Sequence, residues 1–126
     1  MVEIKVKSLL REAEAVCSRK SLLAIREYRT EDGSRIDLAI LRGDEKLLAI
    51  ELEASFKWIR QRVLYNAVKA HRAGFPELWV VYPFKMPRLG WVASFIEEEL
   101  GMKLLILQPE EFVEKVEELT ARWARL

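Results

Sequence analysis

Two apolar runs joined by a short polar loop constrain this chain most: SRIDLAIL and LLAIELEAS, separated by RGDEK. Runs of this length, rich in Leu, Ile and Ala and bounded by turn residues, read as strands over 35–42 and 46–54. Side chains alternate along a strand, and here both alternating sets are apolar. Leu38, Ile40, Leu48, Ile50 and Leu52 form one set; Ala39, Leu41, Leu47 and Ala49 form the other. Strands buried on both sides require helices on both faces of a mixed sheet. Asp37, Glu51 and Glu53 interrupt this burial on a single face. A hairpin closed by Gly43, Asp44 and Glu45 puts Asp37 opposite Glu51, with Cβ atoms about 5 Å apart. Like charges so placed repel, and a hard divalent cation between them is the simplest remedy. In the same register Glu53 falls opposite Arg35, where a cross-strand ion pair is expected.

The rest of the chain organises around this hairpin. Residues 4–17 carry Val6, Leu9, Leu10, Ala13, Val16 and Cys17 at helical spacing. SLLAIREYR is a strand, followed by a turn at TEDGS. Ser55 is expected to cap a helix reaching about Ala73, with Gly74 just beyond. ELWVVYP is a buried strand, residues 89–100 a helix ended by Gly101, and MKLLIL a further strand. Pro109 suits the first turn of a last helix reaching about Arg125. Nothing repeats and no linker divides the chain, so residues 1–126 are expected to form one α/β domain.

Composition excludes several classes. Hydrophobic residues make up 51% of the 126, too many for a disordered chain. No apolar run reaches the ~18 residues of a membrane span, and MVEIKVKSLL does not read as a signal peptide. With Cys17 the only cysteine, there is no disulfide framework, and a cytoplasmic location is the expectation. The net charge of +1 excludes a strongly basic coat protein while allowing a local basic face. High charge with a single Asn and two Gln is thermophile-like.

Within the helix after the hairpin, Phe56, Ile59, Val63, Ala67 and Ala70 share one face. Lys57, Arg60, Gln61, His71 and Arg72 fall on an adjoining one, a stripe suited to backbone phosphates. His71, near a helix C-terminus, is read as structural, and Cys17 as a core residue. Trp58, Trp79, Trp91 and Trp123 are read as core or interface residues, with Trp91 and Trp123 on a dimer surface.

The pattern resembles the PD-(D/E)XK nuclease superfamily over residues 5–82. Asp37 looks like the first acidic motif. Glu51-Leu52-Glu53, with thirteen residues intervening, looks like (D/E)-x-K. The resemblance implies a restriction-endonuclease-like α-β-β-β-α-β core that hydrolyses phosphodiester bonds, DNA being the expected substrate. Asp37 and Glu51 would hold Mg²⁺ or Mn²⁺, and Glu53 would act as base or further ligand. Glu12 of the first helix would be an additional ligand, and Lys57, Arg60, Gln61 and Arg72 would contact nucleic acid. The family's usual lysine is here Glu53, an E-x-E variant that some restriction endonucleases use; Lys57 is the expected source of the displaced positive charge. Small nucleases of this fold often act as homodimers. The alternative is a nuclease-fold module that has lost activity and binds nucleic acid or a protein.

Overall fold

The computed structural model describes residues 5–123. Helix α1 (Val6–Arg19) leads into three strands, β1 (Leu23–Arg29), β2 (Arg35–Arg42) and β3 (Glu45–Leu52). Helix α2 (Ile59–Arg72), strand β4 (Glu77–Val81), a short helix α3 (Trp91–Ser94), strand β5 (Lys103–Leu107) and helix α4 (Pro109–Trp123) follow. Residue 4 of the expected first helix and residues 124 and 125 of the last lie outside the described residues. The sheet order is β1-β2-β3-β4-β5. The first two pairings are antiparallel and the last two parallel, so the α/β sheet is mixed.

Both faces of the sheet are covered, as the two apolar sets of side chains require. Leu9, Leu10, Ala13, Val16 and Cys17 of α1 pack with Phe112, Val116 and Leu119 of α4 against Leu38, Ile40, Leu48 and Ile50. Burial pushes the Cys17 thiol up to about 11, and nearby Glu14 adds to this, so the thiol is inert packing. On the other face Val63, Ala67 and Ala70 of α2 and Val92 of α3 pack against Ala39, Ala49, Leu78 and Val80. Small residues on both sides of this second layer, Ala67 and Ala70 against Ala39 and Ala49, let α2 pack close on the sheet. The crossovers through α2 and α3 advance the sheet in one direction, so connections of one hand put both helices on one face.

Local chemistry sets the details. The β2–β3 hairpin closes on two residues, Gly43 and Asp44, with Arg42 already paired to Glu45. Gly43 has φ +61, a conformation that such a turn demands and glycine adopts without strain. The pairing then shifts by one residue between Ile40 and Leu41. Leu47 is the extra residue of this bulge, and it packs with the α1–α4 layer rather than with Leu41 and Ala49 as alternation predicts.

Helix α2 starts at Ile59, not at Ser55. Ser55 Oγ instead accepts the Lys57 N–H at 3.2 Å in a local turn, and Trp58 takes the N-cap position in the left-handed region at φ 58. The expected helix over 89–100 is α-helical only at Trp91–Ser94 and continues as a π-helical turn over Phe95–Glu99, where Leu100 N–H reaches the Phe95 carbonyl. No described helix is long and apolar enough to cross a membrane.

Candidate active site

The last backbone pair of the β2–β3 ladder before the strands part is Leu38 opposite Ile50. Beyond it β3 follows β4, and Glu53 N–H donates to the Val81 carbonyl at 2.9 Å. Asp37 and Glu51 are the next opposed residues, at the mouth of the fork. Their side chains take over the pairing that the backbone gives up. Leu52 N–H donates to Asp37 Oδ2 at 2.8 Å, and Asp37 N–H donates to Glu51 Oε1 at 3.3 Å. On the outer side of β2 the ladder also breaks, because Glu27, facing Asp37 in the β1 register, has φ 47. Broken local rules on both sides of one residue mark a site rather than a packing element.

Glu51 is only 4% exposed. Lys69 of α2 points its ammonium at it, 2.6 Å from Oε2. The same ammonium donates to the Arg35 carbonyl, also at 2.6 Å, and lies 5.4 Å from the Tyr65 ring centroid. The contact with Oε2 is close enough for an ion pair but poorly directed. Oε2 is therefore buried with no hydrogen bond aimed at it among the described residues. Burial pushes the Glu51 carboxyl up to about 7. The Lys69 hydrogen-bonding contact opposes that shift, and the Asp37 charge adds to it. A group poised near neutrality by desolvation, beside a specific charge partner in a cleft, is what a reactive site looks like physically.

Glu53 lies beside this pair and is held differently. Its Oε1 accepts from Asn66 at 3.0 Å and its Oε2 from Arg62 at 3.2 Å. The expected Glu53–Arg35 pair is not formed, because Glu53 turns toward α2 while Arg35 reaches Glu27 at 3.4 Å. Asp37, Glu51, Glu53, Gln61, Arg62, Tyr65, Asn66 and Lys69 line one open cavity of about 480 Å³.

The remaining expected residues scatter. Glu12 is exposed on α1, which packs on the other face of the sheet, and it does not line the cavity. Lys57 is exposed in the turn before α2, and the cations that reach the carboxylates are Lys69, at Glu51, and Arg62, at Glu53. Gln61 does line the cavity, whereas Arg60 borders a neighbouring depression with Trp58 and Trp91. Arg72 stands at the far end of α2 in a separate depression with Asp32 and Lys46. There the Asp32 carboxyl is pulled down to about 2 by hydrogen bonds from Thr30, then Ser34, which marks a turn rather than a reaction centre.

Sequence reasoning missed Lys69, Asn66 and Arg62. A usable signal was available: 62, 66 and 69 recur at i, i+4 and i+7, one stripe of a helix that follows the acidic strand.

Among the described residues, no three His, Cys, Asp or Glu side chains gather as a metal cage. The donor set instead fits an open site of the magnesium type, in which one or two carboxylates share the ion with water and substrate phosphate. Asp37 and Glu51 could serve as those carboxylates, although the Lys69 ammonium already lies 2.6 Å from Glu51 Oε2. No protein-family model matches the chain, and neither a curated protein nor a solved structure matches it.

Proposed function

We propose that this protein is a metal-dependent phosphodiesterase acting on DNA, with a restriction-endonuclease-like arrangement of α1 to β4. The observation that carries the reading is the convergence of Asp37, Glu51 and Lys69 at the fork between β2 and β3, in a cavity open to solvent. The order of elements supports it, with the acidic pair on the second and third strands. Lys69 supplies from α2 the positive charge that the family motif carries at residue 53.

When bound, a divalent ion would polarise the scissile phosphate and acidify water at Asp37 and Glu51. The chain's own contribution is orientation and charge. Asp37 is fixed by the Leu52 amide and Glu51 by the Asp37 amide, so both carboxylates are pre-positioned. Lys69 sits where it can donate to a phosphate oxygen once Glu51 is engaged by the ion. Glu53, held by Arg62 and Asn66, orients those two side chains toward the cavity.

A second reading has its own support. Glu51 is balanced by Lys69 and Glu53 by Arg62, and an internally neutralised site can serve as the frame of a binding module. One assay separates the two. Duplex, single-stranded and branched DNA are incubated with Mg²⁺ or Mn²⁺, beside chelator and Asp37→Ala controls. The enzyme reading expects metal-dependent cutting that Asp37→Ala abolishes and Lys69→Ala lowers by about 10² or more. Absence of cutting by folded protein would leave the binding module.

A further inference from the structure

Next to the carboxylate cavity lies a second depression of about 500 Å³, lined by Phe56, Trp58, Ile59, Arg60, Gln61, Leu64, Trp91 and Val92. Gln61 lines both. Three large aromatic side chains here face water: Trp58 is 70% exposed, and Phe56 and Trp91 are each 63% exposed. Trp58 is also held at φ 58, in the left-handed region that a bulky residue enters only at a cost. The chain thus strains its backbone where it presents an indole to solvent.

The charge around this patch is one-sided. From Ala54 to Pro76 the chain has Lys57, Arg60, Arg62, Lys69 and Arg72 and no acidic residue. From Leu78 to Ile96 it has Lys85 and Arg88 and again no acidic residue. That distribution decides between two occupants. A second copy docking by a two-fold axis would set this patch against itself, bringing Lys57 and Arg60 toward their own counterparts, while the one acid that pairs with a cation of this stretch beside the patch, Glu53, is already taken up by Arg62. A nucleic-acid strand supplies the missing negative charge and flat bases for the aromatic rings.

We propose that the Phe56–Trp58–Trp91 depression stacks an unpaired base of the strand whose backbone crosses the Asp37–Glu51 cavity. The proposal rests on the nucleic-acid reading above and narrows its substrate class to single strands or duplexes with locally unpaired bases. Aromatic stacking tolerates any base, so recognition there is of unpairedness rather than of sequence. Gln61, shared by the two depressions, lies between the stacked base and the phosphate to be cut.

The test is binding in chelator, so that it does not depend on cleavage. Fluorescence anisotropy is measured with a labelled short DNA single strand and with the blunt duplex of the same sequence, for wild type, Trp58→Ala, Trp91→Ala and Trp58→Phe. Circular dichroism verifies that each variant is folded. The expected result is a loss of single-strand affinity of roughly tenfold or more in each alanine variant, with Trp58→Phe retaining most of it. Duplex affinity should change by less than about twofold, since paired bases offer no free face to stack. Equal losses on both substrates, no loss on either, or no binding of single strands by wild type would overturn the proposal. So would a wild-type dimer in sedimentation that Trp58→Ala dissociates while DNA affinity stays unchanged. Protein that cuts DNA with metal but binds it indifferently to both tryptophans refutes the stacking site alone. Protein that stacks single strands but never cuts refutes the nuclease reading alone.

Discussion

Glu51 and Lys69 form the most consequential pair of residues. Taking both out of water costs several kcal/mol, which their mutual attraction offsets together with the Lys69 bond to the Arg35 carbonyl and the Asp37 N–H bond to Glu51. The sign of the pH effect follows from the direction of the Glu51 shift. Its carboxyl titrates near 7 in the fold and near 4.5 when exposed. Below the lower value it is neutral in both states, and its contribution is fully present. Between the two values the unfolded chain releases its proton and the fold keeps it, so stability falls as pH rises; above about 7 the loss levels off at about 3 kcal/mol. Chemical denaturation of metal-free wild type and Glu51→Gln should therefore diverge between about pH 5 and about pH 8, with the wild type losing more. Parallel curves would mean that Glu51 is not held near neutrality. Lys69→Met belongs with this experiment. At about pH 8 it should destabilise by about 3 kcal/mol, by leaving a buried carboxylate without its cation. At about pH 5, where Glu51 is protonated, only the lost hydrogen bond to the Arg35 carbonyl should remain, about 1 kcal/mol.

At the scale of elements, the apposition of Asp37 and Glu51 was legible in the sequence through two departures that cancel. The sequence reading assumes a three-residue turn and a straight ladder. The protein instead has the two-residue turn at Gly43-Asp44, which alone would put Asp37 opposite Ile50, and then inserts Leu47 as a bulge that restores the pairing. The apolar runs fixed where the strands lie, because burial on both faces leaves few alternatives. The bulge, the late start of α2 and the π-helical turn were not legible, because each is decided by tertiary fit rather than local propensity. Trp58 is the sharpest case: no sequence rule places a tryptophan in a left-handed N-cap or leaves it in water. That conformation yields a stability prediction. Trp58→Gly should stabilise the fold by about 1 kcal/mol in chemical denaturation, since glycine enters this region without the steric penalty. A loss of stability would mean that the exposed indole packs usefully against its neighbours.

For the whole molecule, near-neutrality hides a division of charge. The two acid-free stretches, 54–76 and 78–96, hold seven of the 21 Lys and Arg residues, so with a net charge of +1 the rest of the chain carries −6. The first stretch contains α2 and the second contains α3; these two helices share one face of the sheet. Many of the acids sit instead at Glu97, Glu98 and Glu99 and along α4. Such a molecule should orient a polyanion even though its total charge gives little attraction at long range. The consequence is measurable as a salt slope. If Lys57, Arg60 and Arg62 each neutralise one phosphate of a single strand, the logarithm of the binding constant should fall with the logarithm of salt at a slope of about −2. Lys57→Ala or Arg60→Ala should each flatten that slope by about 0.7, whereas Lys115→Ala on α4 should leave it unchanged. The titration also separates phosphate contact from stacking, because Trp91→Ala should weaken binding at every salt concentration without altering the slope. A slope that responds equally to Lys115→Ala would mean that the strand is attracted by the molecule as a whole, and the basic face would lose its claim to position it.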